Sequence, residues 1–405
     1  MFNPAPVSNE GYSLAFASET PRTNYLRGGL TVGTAYDNNI LLANGPTVSD
    51  VKYSVWPSIS LAQSRSRLGW DLTYGPGFKF YQHNPSVNGT DHYLALGLEY
   101  RISPHITLSV TNSFQKTSDL LNLPEQTASA SGSGVTPVPN NSILPPATAR
   151  ISNLSNAEIT YQFGSNAMVG AKGALSGLWY PNRTNLSGLF DSTGESGEAF
   201  YAHRLSVMHY IGATYGFQRL LTHPGQAATQ TQSMLLFYTL YLPPSLAVSV
   251  FAGPEHSDTH GGGLSPLHVW SPAVGSSLAW HGEHTSFTAT YARRTSGGGG
   301  LSGAVRSNRA DASMRWQLAR TLTTCLGSSY STNSVLDSQP ALGVGGHTWL
   351  GTASLQHPLG EGLDIQVGYT HLHQSYGSVA AISNTPDRNN VWVSFSYQFE
   401  RALGR

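Results

Sequence analysis

The stretch that decides the fold is Glu99–Val110, EYRISPHITLSV. Apolar and polar residues alternate up to Tyr100, the pattern breaks at Ser103-Pro104, and alternation resumes at Ile106. Period-two alternation is the signature of a strand with one apolar face. The segment therefore predicts a strand, a tight turn and a returning strand. Pro104 fits the turn, because its ring fixes φ and it has no N–H to offer a ladder.

The same break recurs along the chain. It is seen at Gln63–Ser66, Gly164–Asn166, Leu205–Met208, Pro243–Ser245, His281–His284, Ala319–Arg320 and His357–Gly362. The breaks lie about 39 residues apart, a spacing that propeller blades also show. A blade would hold four short strands and a repeated signature. Here two long runs and one loop lie between breaks, and no signature residue recurs. The one wider gap contains the Ser/Pro/Ala-rich segment Thr117–Arg150, which reads as a loop.

Longer Gly/Ser/Asn/Pro-rich loops are expected at the opposite end from the breaks. They fall at Leu42–Asp50, His83–Thr90, Thr117–Ser152, Pro181–Ser196, His223–Thr229, Ser257–His268, Ser296–Leu301, Ser334–Gly346 and Gly377–Asn389. Runs of about 9–11 residues, short turns at one end and long loops at the other are the layout of a membrane β-barrel. The pattern predicts an all-β, closed, antiparallel up-and-down transmembrane barrel of about 18 strands. The alternative of about 16 applies if the short run Gly197–Arg204 and a neighbour lie outside the wall. An open edge in lipid would leave backbone groups unpaired at several kcal/mol each, so the sheet has to close.

Alternation also assigns the faces. Leu94, Leu96, Leu98 and Tyr100 oppose Ala95, Gly97, Glu99 and Arg101; Val391, Val393, Phe395, Tyr397 and Phe399 oppose Trp392, Ser394, Ser396, Gln398 and Glu400. The inward set includes Lys52, Arg67, Asp71, Lys79, Glu99, Arg101, Glu158, Lys172 and Arg315, with Arg27, Asp37, Asp364 and Glu400. These are the lumen-facing candidates for a mixed-charge constriction; the plainer reading is that they pair across strands and keep the lumen wet. A soluble sandwich alternates too. The polar face here is rich in Gly, Ser and Thr rather than Lys and Glu, and aromatics gather at strand ends, Tyr241 among them, as in membrane girdles. Both features favour the membrane barrel over a soluble β protein.

Composition agrees. Charged residues make up 11% of the chain, with Lys+Arg and Asp+Glu equal at 22 each, which points away from a nucleic-acid partner. One cysteine excludes an internal disulfide framework. The opening MFNPAPVSNE has no signal-peptide features, so a removed leader is expected if the protein is exported.

With these runs in place, the chain resembles the porin-type outer-membrane β-barrels of diderm bacteria, uncharacterised porin-like members included. The most specific piece is the end, NNVWVSFSYQFERALGR, where Phe395, Tyr397 and Phe399 look like the signal read by the barrel-assembly machinery, although residues 400–405 follow Phe399. The resemblance implies a bacterial outer-membrane location, contact with outer-membrane lipid and lipopolysaccharide, and passage of small hydrophilic solutes. Its looser likeness to proteins of polysaccharide export implies a conduit or anchor, with Thr117–Ser152 as plug. The expected organisation is an N-terminal periplasmic segment over 1–26, a barrel over 27–400 and a tail over 401–405.

Other chemistry is thinly signalled. Glu255-His256-Ser257-Asp258-Thr259-His260 has metal-ligand residue types at spacing two, but reads as a polar loop before Gly261–Gly263. Ser296–Gly303 lacks the Lys and helix of a phosphate loop and reads as flexible. No P-loop, GxSxG or HExxH occurs. No enzyme, cofactor or metal is expected.

Overall fold

The structure is a computed structural model, described over residues 24–42, 46–117, 143–144, 148–182, 189–224, 227–242, 245–261, 264–301, 303–336, 345–376 and 387–403. The strands are β1 (Tyr25–Asp37), β2 (Asp50–Ser64), β3 (Leu68–Tyr81), β4 (Gly89–Ser103), β5 (Ile106–Thr117), β6 (Arg150–Gln162), β7 (Ala167–Trp179), β8 (Asp191–Arg204) and β9 (His209–His223). They continue as β10 (Ala228–Leu242), β11 (Leu246–Gly261), β12 (Leu264–His281), β13 (Thr285–Gly297), β14 (Ala304–Ala319), β15 (Leu322–Val335), β16 (Gly345–Gly360), β17 (Leu363–Tyr376) and β18 (Arg388–Ala402). All belong to one 18-stranded sheet. Each pairs antiparallel with the next, and β1 pairs with β18 from Tyr25↔Ala402 to Asp37↔Asn390. The sheet is closed and has no free edge, as hydrocarbon requires.

The sequence predicts the strand count correctly but misreads some bounds. Gly197–Arg204 is the second half of a long strand that begins at Asp191. The expected loop Ser257–His268 is therefore largely wall, since β11 runs to Gly261 and β12 resumes at Leu264, and the last six residues of the expected loop Pro181–Ser196 are wall as well. The wall begins at Tyr25 and ends at Ala402, just beyond the expected bounds. Residues 1–23 of the expected periplasmic segment, most of Thr117–Ser152 and residues 404–405 lie outside the described residues.

The outer face explains why the strands form. Leu30, Ile59, Leu96, Ile159, Leu175, Met234, Leu236, Val250, Leu326 and Val367 all project outward and exposed. Eleven residues at about 3.3 Å each, tilted by about 40°, climb about 28 Å, which matches an apolar belt of ~25 Å. Large aromatics bound this belt. Near the short turns Tyr161, Phe163 and Tyr201 run side by side, with ring centroids 6.2 Å apart at each step; Tyr53, Trp349 and Tyr369 stand toward the loops. Such a surface is stable against lipid, not against water.

The seam where first and last strands meet is fastened on its inner side at three heights. Arg27 and Glu400 pair at 2.6 Å near the turn end. The hydroxyls of Thr31 and Ser396 lie 2.9 Å apart at mid-height. At the loop end the buried carboxylate of Asp37 accepts from Arg388 Nε at 2.8 Å and from the Asn39 N–H at 2.9 Å. Each pair sits on neighbouring or directly opposed ladder positions, so closure and charge pairing come from one register.

Candidate channel lumen

Ladder register and alternation place the candidate residues. Lys52, Asp71, Lys79, Glu99, Arg101, Glu158, Lys172 and Arg315 all lie on the inward face. Arg67 does not. It lies in the turn between β2 and β3, where it is exposed and its carbonyl accepts from the Arg101 N–H. Tyr241 is also corrected: it points inward and meets the Tyr210 ring edge-on at 5.3 Å.

The inward charges are mostly paired. Lys79 Nζ lies 2.8 Å from the Asp91 carboxylate, and both side chains are 1% exposed. Arg101 and Glu99 are 3.4 Å apart. Lys172 stands in register between Glu158 on β6 and Glu198 on β8. Arg309 and Asp311 pair at 2.8 Å. Arg315 reaches Gln356 at 3.5 Å, over the inward Cys325 opposite it. Gly97 faces Asp71, and a Cβ there would come within 2.3 Å of the carboxylate, so glycine makes room for this charge.

One sector is different. The inward faces of β9, β10 and β11 carry hydroxyls and aromatics in place of most charges. Thr229 pairs with Thr259 at 3.0 Å, Thr231 with Ser257 at 3.1 Å, and Thr239 with Ser249 at 3.0 Å. Phe200, Phe237 and Phe251 lie across Gly170, Gly212 and Gly275 of adjacent strands, where a Cβ would enter the ring at 2.2–2.4 Å. Aromatic rings laid over strand glycines restore the packing that glycine lacks. Nearly every inward side chain of β9 and β10 is buried, while those of β4 and β5 are mostly half-exposed. The open part of the interior therefore runs along the charged wall.

Loop segments enter the barrel from the loop end. Ile143, fully buried, packs with Leu301, Val305 and Tyr376; Leu144 packs with Leu42 and Leu372. Gln374 holds the Leu144 backbone on both sides, accepting from its N–H at 2.9 Å and donating to its carbonyl at 2.8 Å. The Ser296–Leu301 segment, expected to be flexible, is held by Tyr180, whose hydroxyl donates to the Gly299 carbonyl at 2.8 Å, and by the Phe190 N–H on Gly300. Burial pushes the Tyr180 phenol up to about 12, so it remains a donor at any physiological pH. Its electrostatic neighbour Arg150 is 3% exposed, with its guanidinium beside the Tyr180 hydroxyl.

Sequence reasoning missed Asp91, Arg150, Glu198, Arg309, Asp311 and Arg388. Asp91 and Arg388 begin their strands, where alternation is too short to show a face; register against Lys79 and Asp37 is what reveals them. Glu255, expected in a polar loop, is inward and buried on β11 and accepts from the Thr295 N–H at 3.0 Å.

No family model matches the chain, and no curated protein matches it either. Solved barrels resemble it in overall form. OpdK of Pseudomonas aeruginosa, solved with vanillate, has 11% identity and a TM-score of 0.45, covering 93% of this chain and 99% of that one. OccAB4 of Acinetobacter baumannii has 10% identity and a TM-score of 0.47, covering 94% and 100%. The ferric citrate transporter FecA in its unliganded form has 10% identity and a TM-score of 0.45, covering 94% and 79%. At such values likeness says nothing of what passes through the lumen. What the wall itself defines is a bilayer-crossing β-barrel with a polar, loop-narrowed interior.

Proposed function

We propose that this barrel is an outer-membrane channel for small hydrophilic solutes and carries no catalytic step. The observation that supports it best is the pairing of an apolar outer belt with an inner wall of half-exposed charges from Asp71 to Glu158. Charges on the lipid side would cost up to about 2–4 kcal/mol each at mid-depth, whereas inside they hold water at little cost. Passage follows the charged wall, and the Ile143–Leu144 and Gly298–Leu301 segments narrow it at the loop end. Asp71, Glu99, Arg101, Glu158 and Lys172 line the wide part; Arg150 sits at the narrowing, where a buried cation favours solutes with an anionic group. Phe395, Tyr397 and Phe399 form an outward aromatic stripe on β18, the position from which the barrel-assembly machinery would read it. Outer-membrane lipid and lipopolysaccharide are the surroundings this belt suits.

The inward loops favour a second reading, a conduit or anchor in surface-polysaccharide export whose lumen stays closed until a partner moves them. Single-channel recording of detergent-refolded protein in a planar bilayer separates the two. Stable ohmic steps support the solute channel. A folded barrel that inserts and stays silent refutes it and supports the closed conduit.

A further inference from the structure

The run Glu255–His260 is split by its strand. Glu255, Ser257 and Thr259 are buried inside, while His256, Asp258 and His260 project outward at the loop end of β11. Two ladders fix this part of the wall: Asp258 lies directly opposite His268 on β12 and Gln230 on β10, and His256 opposite Trp270 and Gln232. The outward face here is polar, with Glu195 and Arg219 3.3 Å apart further along it, so it stands clear of the apolar belt.

Three metal-ligating side chains converge. His256 Nδ1 lies 3.5 Å from Asp258 Oδ2, His268 Nδ1 contacts Asp258 Oδ1, and one ligand atom from each residue falls within 4.8 Å of the others. The imidazoles are nearly parallel, 6.4 Å between centroids and 10° apart in plane. Trp270 packs on His256 at 4.6 Å and restrains that ring. An ordinary ion pair needs one imidazole per carboxylate. Here two rings, from different strands, turn the same nitrogen toward one carboxylate.

We infer that His256, Asp258 and His268 form a binding site for a divalent transition ion of the zinc class on the outer rim of the barrel. Two imidazoles and a carboxylate select zinc, nickel or copper over calcium or magnesium, which prefer all-oxygen sets. Zinc would bring the ligand atoms to about 2.0–2.2 Å from itself. The closure from the present spacing needs rotation of the exposed His268 and the part-buried His256 and Asp258 side chains, with the ladder kept. Three protein ligands leave a fourth position for water or a donor from outside the protein. The inference uses only the outer rim and does not depend on what the lumen conducts.

The test is zinc titration of the folded, untagged, chelator-stripped barrel in detergent, read by competition with a chromogenic chelator. Cobalt absorption reports the geometry independently. One equivalent should bind, and Asp258→Asn and His268→Ala should each weaken it at least tenfold. His105→Ala, in a short turn at the other end, should leave it unchanged. Heat-modifiable migration on gels shows that each variant is folded. Absence of binding by the parent protein, or binding unchanged in a folded His268→Ala variant, overturns the assignment.

Discussion

The wall formed by β3–β6 and the wall formed by β9–β11 look alike from outside and differ inside. Both present Leu, Ile and Tyr to hydrocarbon. Inside, the first carries ion pairs and half-exposed charges, and the second carries buried hydroxyl pairs and rings packed on glycine. Lipid imposes the same demand on every strand, so the apolar belt of the outer face cannot record function. The inner face is free to vary, and the contrast between the two sectors is what the proposed solute passage rests on.

The contrast can be broken most severely at Lys79. Lys79→Ala leaves Asp91 buried without its cation and should cost about 3–5 kcal/mol, measured by urea unfolding in detergent. An equal loss from Thr231→Val in the other wall would erase the distinction; the expected cost there is about 1 kcal/mol, one hydrogen bond. Between these lies Gly212→Val, whose Cβ would meet the Phe237 ring at 2.2 Å and the Tyr201 carbonyl at 2.3 Å. Overpacking of this kind should cost about 1–3 kcal/mol, while Gly69→Ala, with nothing within 4 Å, should be neutral. The smallest effects are functional. Glu99→Gln should shift the reversal potential in a salt gradient toward anion preference, and Arg150→Gln should shift it toward cations. Ser249→Ala should leave it where it is, and a shift there would place the passage on the wrong wall.

Much of this was legible because a bilayer enforces strict alternation over every crossing. The turn at Ser103–Pro104, the face of Leu94–Tyr100 and the final strand all read directly. The misread segments share a physical cause. At Asp191–Ser196 and Ser257–His268 the strands extend past the apolar belt, so the outward residues Glu195, Asp258 and His268 face water and alternation disappears although the ladder continues. Polar residues on both faces look like a loop. Tyr241 failed for the opposite reason, since the Met234–Tyr238 run that leads to it is apolar on both faces and alternation cannot choose between them. The burial of Ile143 and Leu301 was not legible, because it depends on contacts such as Ile143 with Tyr376 between distant parts of the chain.

The most direct test of the charged passage moves the chain's single cysteine onto the β3–β6 wall, in a Cys325→Ser, Thr111→Cys variant. Thr111 points inward on β5 opposite Gly97 and is exposed, whereas Cys325 stands on β15, away from this wall. Single-channel current is recorded before and after a small charged methanethiosulfonate reagent is added, with modification verified by mass spectrometry. A stepwise fall in current as the thiol on β5 is labelled is the predicted result. Open-channel current that stays unchanged after complete labelling would contradict a passage along this wall.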